Sequence, residues 1–265
     1  MNKFFYALLV VSLFSCKKDP VQQTPENPQN PQNPQNPVAG CKIQSLTEFP
    51  SVDGKNSTTT FTYNDQNRVV KLDKTQGGVT TTKTVTYNAD NKIDKMTYGN
   101  GAYEQFRYAD GRLAEWEAIG EGGTKVKKYT YTYTNGKLTR EDRYQFSGET
   151  KNYEPAGYLT YDWDGQGNIT TIKAYTVGNV LQKTSAYTYY ADKANNQKQL
   201  VPQLELLFLD WVSDVTAFVN SNNLLQSTSN PSRTLSYAAN DKGFVTTVKG
   251  NNNDNYFTFS YSGCN

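Results

Sequence analysis

Two pairs of carboxylates and a few aromatic side chains are the residues here whose types and spacing could do chemistry. Glu115 and Glu117 stand two apart in RLAEWEAI, so on a strand they share one face. Facing a groove, such a pair could serve as general acid and base in a hydrolase. On a solvated face the same spacing needs no catalysis. Asp162 and Asp164, in Asp162-Trp163-Asp164-Gly165-Gln166-Gly167-Asn168, alternate like the start of a calcium loop. The twelfth position of such a loop carries a bidentate Glu, and Lys173 stands there. A hairpin turn is the expected role, with no metal. The chain has no histidine, which removes Ser/His/Asp and Cys/His catalysis and the commonest zinc ligand. No phosphate-binding glycine loop precedes a helix. No catalytic residue and no cofactor is therefore assigned, and the chain is expected not to be an enzyme. Recognition remains. Trp116, Tyr129, Tyr131, Tyr133 and Trp163 are the candidate binding aromatics, flat rings with polar edges that suit glycans and peptides. Most of the twenty tyrosines should nevertheless be core.

Thiol chemistry points elsewhere. Residues 1–16 read MNKFFYALLVVSLFSC: Lys3, then an apolar run from Phe4 to Phe14, too short to span a bilayer as a helix but suited to a signal peptide. Its end, Leu13-Phe14-Ser15-Cys16, resembles a lipobox. That resemblance implies removal of residues 1–15 and diacylation of Cys16, a stable anchor at about 0.8 kcal/mol per buried CH₂. Lys17-Lys18-Asp19 follows, with no Asp directly after Cys16, which favours the outer membrane and leaves the surface or periplasmic face open. Between residues 17 and 40, Pro28, Pro31, Pro34 and Pro37 recur every third position, the period of polyproline II. At about 3.1 Å per residue this tether would reach on the order of 70 Å.

Cys41 and Cys264 are the remaining thiols, placed at the two ends of residues 41–265. In an oxidising compartment an even pair reads as a disulfide. It would bring the first and last strands side by side and, on chain-entropy grounds, contribute roughly 5 kcal/mol.

The elements that must position these residues come from a repeat. FTYNDQNRVVKL begins at Phe61, VTYNADNKIDKM at Val85, FRYADGRLAEW at Phe106 and YTYTNGKLTRE at Tyr131; LTYDWDGQGNITTI and LSYAANDKGFVTTV follow from Leu159 and Leu235. Each unit is an alternating strand ending at Tyr, an Asn/Asp/Gly turn, a frequent basic residue and a second alternating strand, which is hairpin chemistry. The marking residues are Tyr63, Tyr87, Tyr108, Tyr133, Tyr161, Tyr189, Tyr237 and Tyr261, mostly 21 to 28 apart with one gap of 48. Such a period means stacked repeats. The Y-N-D-x-N-R-V and Y-A-D-G-R-L segments resemble the YD repeats of Rhs-type proteins. With the lipobox and tether, the chain resembles a Bacteroidota lipoprotein family of unknown function with a porin-like fold; the resemblance implies architecture over residues 41–265 and no activity.

The expected fold is all-β: a long antiparallel meander of about fifteen strands, strongly curled or closed into a barrel-like sheet, with one inserted helix near 200–222. There Leu204, Leu207, Trp211, Val215 and Phe218 or Val219 follow helical spacing, and the helix would pack over an open end as a plug or lid, or serve as a gate or partner-docking helix. The strand Lys125–Thr134 places Tyr129, Tyr131 and Tyr133 on one face and Lys128, Thr130 and Thr132 on the other. A lipid-facing band needs uncharged apolar residues, so a soluble domain with an aromatic inner face is expected, not a pore. With 27 basic against 25 acidic residues, no nucleic-acid partner is implied. The leading functional expectation is a non-catalytic binding module for a glycan, peptide or protein, carried on the membrane by Cys16. The alternative is a structural or assembly-partner lipoprotein.

Overall fold

The structure, a computed structural model, describes residues 41–49, 55–196, 217, 221–229, 232–251 and 255–264. Cys16, the tether and nearly all of the 200–222 insertion lie outside the described residues. Among the described residues the runs of Thr, Tyr, Val and Phe form seventeen strands: β1 (Lys42–Glu48), β2 (Ser57–Tyr63), β3 (Val69–Gln76), β4 (Val79–Tyr87), β5 (Ile93–Tyr98) and β6 (Tyr103–Ala109) come first. Next are β7 (Arg112–Ile119), β8 (Lys125–Thr134), β9 (Lys137–Phe146), β10 (Tyr153–Trp163), β11 (Ile169–Tyr175) and β12 (Leu181–Ala194). The last are β13 (Asn223–Ser229), β14 (Ser232–Thr234), β15 (Ser236–Ala239), β16 (Val245–Lys249) and β17 (Asn255–Ser262). Apart from β14 and β15, each pairs antiparallel with its chain neighbours, and β1 pairs with both β2 and β17. β14 and β15 are one run interrupted at Leu235, whose N–H donates to Gln226 O on β13. Counted that way the sheet has sixteen runs. An even number of alternating directions is what lets the first and last strands close antiparallel.

The units do not alternate evenly, as the sequence pattern suggests. The register slips by one residue beside the turn, in most units at the marking position: Tyr63 pairs with Val69 and Phe61 with Leu72, Tyr87 with Ile93 and Val85 with Met96, whereas after Tyr237 the slip falls two residues on, at Ala239. The extra residue is a β-bulge on the strand after the turn. It turns the inward spacing there from two to three. Val69 and Leu72, Ile93 and Met96, Ile169 and Ile172, and Val245 and Val248 are all buried in this spacing. On the strand before the turn Phe61, Val85, Phe106, Tyr161, Tyr187 and Leu235 fill the adjoining layer, all buried.

The marking residues tie each unit to the one before. Tyr63 Oη donates to Ile43 O, Tyr87 to Val69 O and Tyr108 to Ile93 O, each at 2.7 Å. Tyr189 donates to Ile169 O at 2.6 Å, and Tyr237 and Tyr261 donate to Leu225 O and Val245 O. The basic residue after the turn covers the next unit's ring: Arg68 lies 5.0 Å from the Tyr87 centroid, Lys92 5.2 Å from Tyr108 and Arg112 5.7 Å from Tyr133. At the unit 159–172 the marker is Trp163, not Tyr161. Trp163 sits at the bulge and its Nε1 donates to Leu138 O at 2.7 Å, whereas Tyr161 lies one layer deeper.

Cys41 and Cys264 form the disulfide. Of the insertion, Ala217 is helical and fully buried, and Ser221 N–H donates to its carbonyl. Ser221 Oγ accepts from Ile169 N–H and donates to Tyr189 Oη, which attaches this part of the insertion to the tyrosine end of the barrel. Outward positions carry threonine and charge, as in the Thr47–Thr58, Thr75–Thr80 and Asp73–Thr82 pairs. A lipid-facing surface has no place for these.

Candidate functional site: an inner belt of rings and charges

Among the inward residues named above, the tyrosine-end layers carry no charge. Charge enters deeper, toward the opposite mouth, on the inner wall of β4 to β10. Glu104 on β6 is 2% exposed. Its Oε1 accepts from Lys83 Nζ at 3.1 Å and from Tyr98 Oη, and its Oε2 accepts from Trp116 Nε1 at 3.1 Å. A buried carboxylate is tolerable only with such donors. Trp116, 1% exposed, packs on Tyr129 with centroids 4.7 Å apart and planes tilted 44°. Lys127 Nζ lies 4.9 Å from the Trp116 ring and 5.7 Å from Tyr129, and the Arg143 guanidinium lies 5.1 Å from Tyr129.

Arg143 Nε donates to Glu141 Oε1 at 2.6 Å, and Tyr161 Oη donates to Glu141 Oε2 at 3.1 Å. Glu141, 6% exposed, occupies the bulge-spaced position that holds Leu72, Met96, Ile172 and Val248 in other units. Directly across from it on β8 is Tyr131. Its hydroxyl is buried and has no hydrogen-bond partner among the described residues. Burial, followed by the negative charge of Glu141, pushes the Tyr131 and Tyr161 phenols well above their ordinary range.

The structure thus gathers three of the five sequence candidates, Trp116, Tyr129 and Tyr131, into one belt. Tyr133 and Trp163 stand apart in the tyrosine-end layer, under Arg112 and Lys137 respectively. Glu104, Lys127, Glu141 and Arg143 were not singled out from sequence. Aligning the units three residues past the first apolar residue after each turn would have exposed Glu141 among Leu, Met, Trp, Ile and Val. Glu115 and Glu117 face outward: Arg107 bonds Glu115 and lies 3.1 Å from Glu117, which also accepts from Tyr153 Oη at 2.7 Å. Asp164 serves as the turn cap, its Oδ1 accepting from the N–H groups of Gln166 at 2.9 Å and Asn168 at 2.8 Å. Burial alone would raise its carboxyl, but those donors and the Asn168 side chain hold it below the ordinary range. Asp162 pairs with Lys173 at 3.0 Å.

The chain is a barrel-like antiparallel meander with charged as well as apolar side chains on its inner wall and threonine and charge on its outer face. Solved structures show the same fold. A porin-like protein from Bacteroides uniformis matches with TM-score 0.57 and 17% identity, over 83% of this chain and 98% of that one. A porin-like protein from Bacteroides vulgatus matches with TM-score 0.52 and 12% identity over the same shares. No family model and no curated protein matches the sequence.

Proposed function

We propose that this chain is a lipid-anchored outer-membrane protein whose barrel is a non-catalytic binding module for a glycan, peptide or protein. The observation that carries the binding reading is the belt itself. A purely structural repeat would continue its apolar layers, yet here ionic groups and an unpartnered hydroxyl replace them. Buried ion pairs are poor sources of stability compared with apolar residues of similar volume, so their presence favours a ligand role. The polar rims of the rings and the guanidinium edge suit a hydroxyl- or amide-rich ligand. The anchor rests on Cys16 and its lipobox, and the envelope setting agrees with the source and fold of the porin-like neighbours.

The test uses the intact chain on glycan and peptide arrays, beside a Glu141→Leu/Arg143→Leu double variant. Saturable binding that the double variant loses supports the reading. No binding to any probe, or binding indifferent to the double variant, would overturn it. Incorporation of labelled palmitate that is abolished by Cys16→Ser tests the anchor, and incorporation surviving that change would refute it.

A second reading, an assembly-partner lipoprotein, has its own observation. Phe146 and Tyr153 meet edge-on at 5.4 Å, and Tyr158 stacks on Tyr175 at 4.7 Å, all on the outer face of β9 to β11. Co-purification of one envelope protein that a Tyr158→Ala/Tyr175→Ala variant no longer retains would favour this reading over the first.

A further inference from the structure

We infer that the inner belt recognises a carboxylate, held by Arg143 with Lys127 beside it; this rests on the binding-module reading and names the chemistry of its ligand. One guanidinium has the geometry for this. Arg143 spends only its Nε on Glu141. Its two terminal nitrogens make no hydrogen bond to any described residue, and its side chain is 40% exposed although Glu141 beside it is buried. The planar fork is therefore fixed by Glu141 at its base and by the Tyr129 ring beneath it, with its free edge toward solvent. An Arg held in this way is preorganised for bidentate recognition of a planar anion.

Lys127 lies on the same ring. Both cations fall within 6 Å of the Tyr129 centroid, at 5.7 and 5.1 Å, and the cross-strand register places Tyr129 opposite Arg143 and Lys127 opposite Gln145. Lys127 thus sets a second positive charge near the ring that carries Arg143, which favours an anion at the open edge of the guanidinium. A uronic-acid sugar and a peptide C-terminus both present a carboxylate to such a fork.

The experiment is calorimetric titration of the intact, disulfide-bonded chain with four probes: a galacturonate oligosaccharide, its neutral galactose counterpart, a short peptide with a free C-terminus and the same peptide amidated. The expected result is that one or both carboxylate probes bind and their neutral partners bind at least about tenfold more weakly, the scale of a lost hydrogen bond to a charged group. Which carboxylate probe binds identifies the source. Arg143→Lys keeps the charge but removes the fork, and Lys127→Gln removes the second positive charge while keeping a side chain of similar length. Each should weaken binding by about tenfold or more, while thermal melts confirm that both variants are folded. Equal binding of acidic and neutral probes, or wild-type affinity in folded Lys127→Gln and Arg143→Lys, overturns the carboxylate inference and leaves the binding module standing. No binding by any of the four, together with a blank array, overturns both.

Discussion

Cys41 and Cys264 stand where the hairpin Tyr63–Val69 and its repeats at the tyrosine end of the barrel have their turns. Five residues, Asn64 to Arg68, separate the paired Tyr63 and Val69. The paired Tyr261 and Ile43 are likewise bridged by Ser262, Gly263, Cys264, Cys41 and Lys42, with the disulfide replacing a peptide bond. The equivalence extends to side chains. Lys42 covers Tyr63 at 5.4 Å as Arg68 covers Tyr87, and Ile43 and Leu46 are buried with the same spacing as Val69 and Leu72. The last strand and the first therefore make the eighth unit, and the chain closes by completing a hairpin across its own ends.

Reduction should open that unit before any other. Chain-entropy arguments put the loss at roughly 5 kcal/mol for a loop of this length. Denaturant unfolding with and without reductant should show a lower midpoint in reductant, and Cys264→Ser should reproduce it. Amide exchange should rise first in β1 and β17; exchange rising uniformly across the sheet would contradict the hairpin role.

The tyrosine tether makes a separate prediction. Tyr87→Phe keeps the ring under Arg68 but leaves Val69 O without its 2.7 Å donor. The cost should be about 1–3 kcal/mol, measured by urea unfolding. Trp163→Phe should behave alike, because the indole N–H performs the same task on Leu138 O.

These tethers also show what could be read from sequence and what could not. Turns such as Asn64 to Arg68 and the period near 24 announce hairpins and their number, and the placement of the cysteines announces closure. The bulge is silent, because strict alternation and a three-residue inward step look alike in VVKL or IDKM. For the same reason Trp163 is hidden as a marker, since Tyr161 matches the pattern by type while Trp163 matches it by position. The belt is hidden differently. Glu141 and Arg143 in LTREDR look like one more solvated charge run until the register shows that both face inward. Residues 200–222 carry the helical pattern, and only Ala217 and its bond from Ser221 speak for it in the described structure.

Alkaline pH should unfold the barrel early. Burial raises the Tyr87 phenol to about 12 and pushes Tyr63, Tyr189 and Tyr237 higher still. In the unfolded chain these groups ionise near 10. A folded value raised above the unfolded one means that the stabilisation is complete below about pH 10 and is lost as pH climbs toward the folded value. Stability should be flat with respect to these groups below pH 10 and fall steeply above it. Circular dichroism across pH 8–12.5 checks this, and Tyr87→Phe should reduce the slope. A melt insensitive to pH up to 12 would refute the linkage.

The turns should be tunable without touching the site. Asn67 and Asn91 hold φ near +60°, a conformation that costs ordinary L-residues roughly 1–2 kcal/mol. Asn91→Ala should lose about that much, while Asn91→Gly should be near neutral. Thermal melts of the two variants decide it, and equal losses would mean that the Asn91 side chain matters more than its backbone.

The belt can be set against the fold that contains it. Glu141→Leu restores the apolar layer but strips Arg143 and Tyr161 of their acceptor, so the single change should destabilise by about 1–3 kcal/mol. Adding Arg143→Leu removes the orphaned cation as well. Replacing a complete buried or half-buried ion pair with apolar side chains is commonly neutral or stabilising, so the double variant should recover most of the loss in guanidinium unfolding, short of the penalty for the buried Tyr161 hydroxyl that still lacks its acceptor. Recovery together with lost binding would mean that the charges are kept for the sake of a ligand. If the double variant is instead less stable than the single one, the pair is a structural part of the core, and the ligand role assigned to Glu141 and Arg143 falls with it.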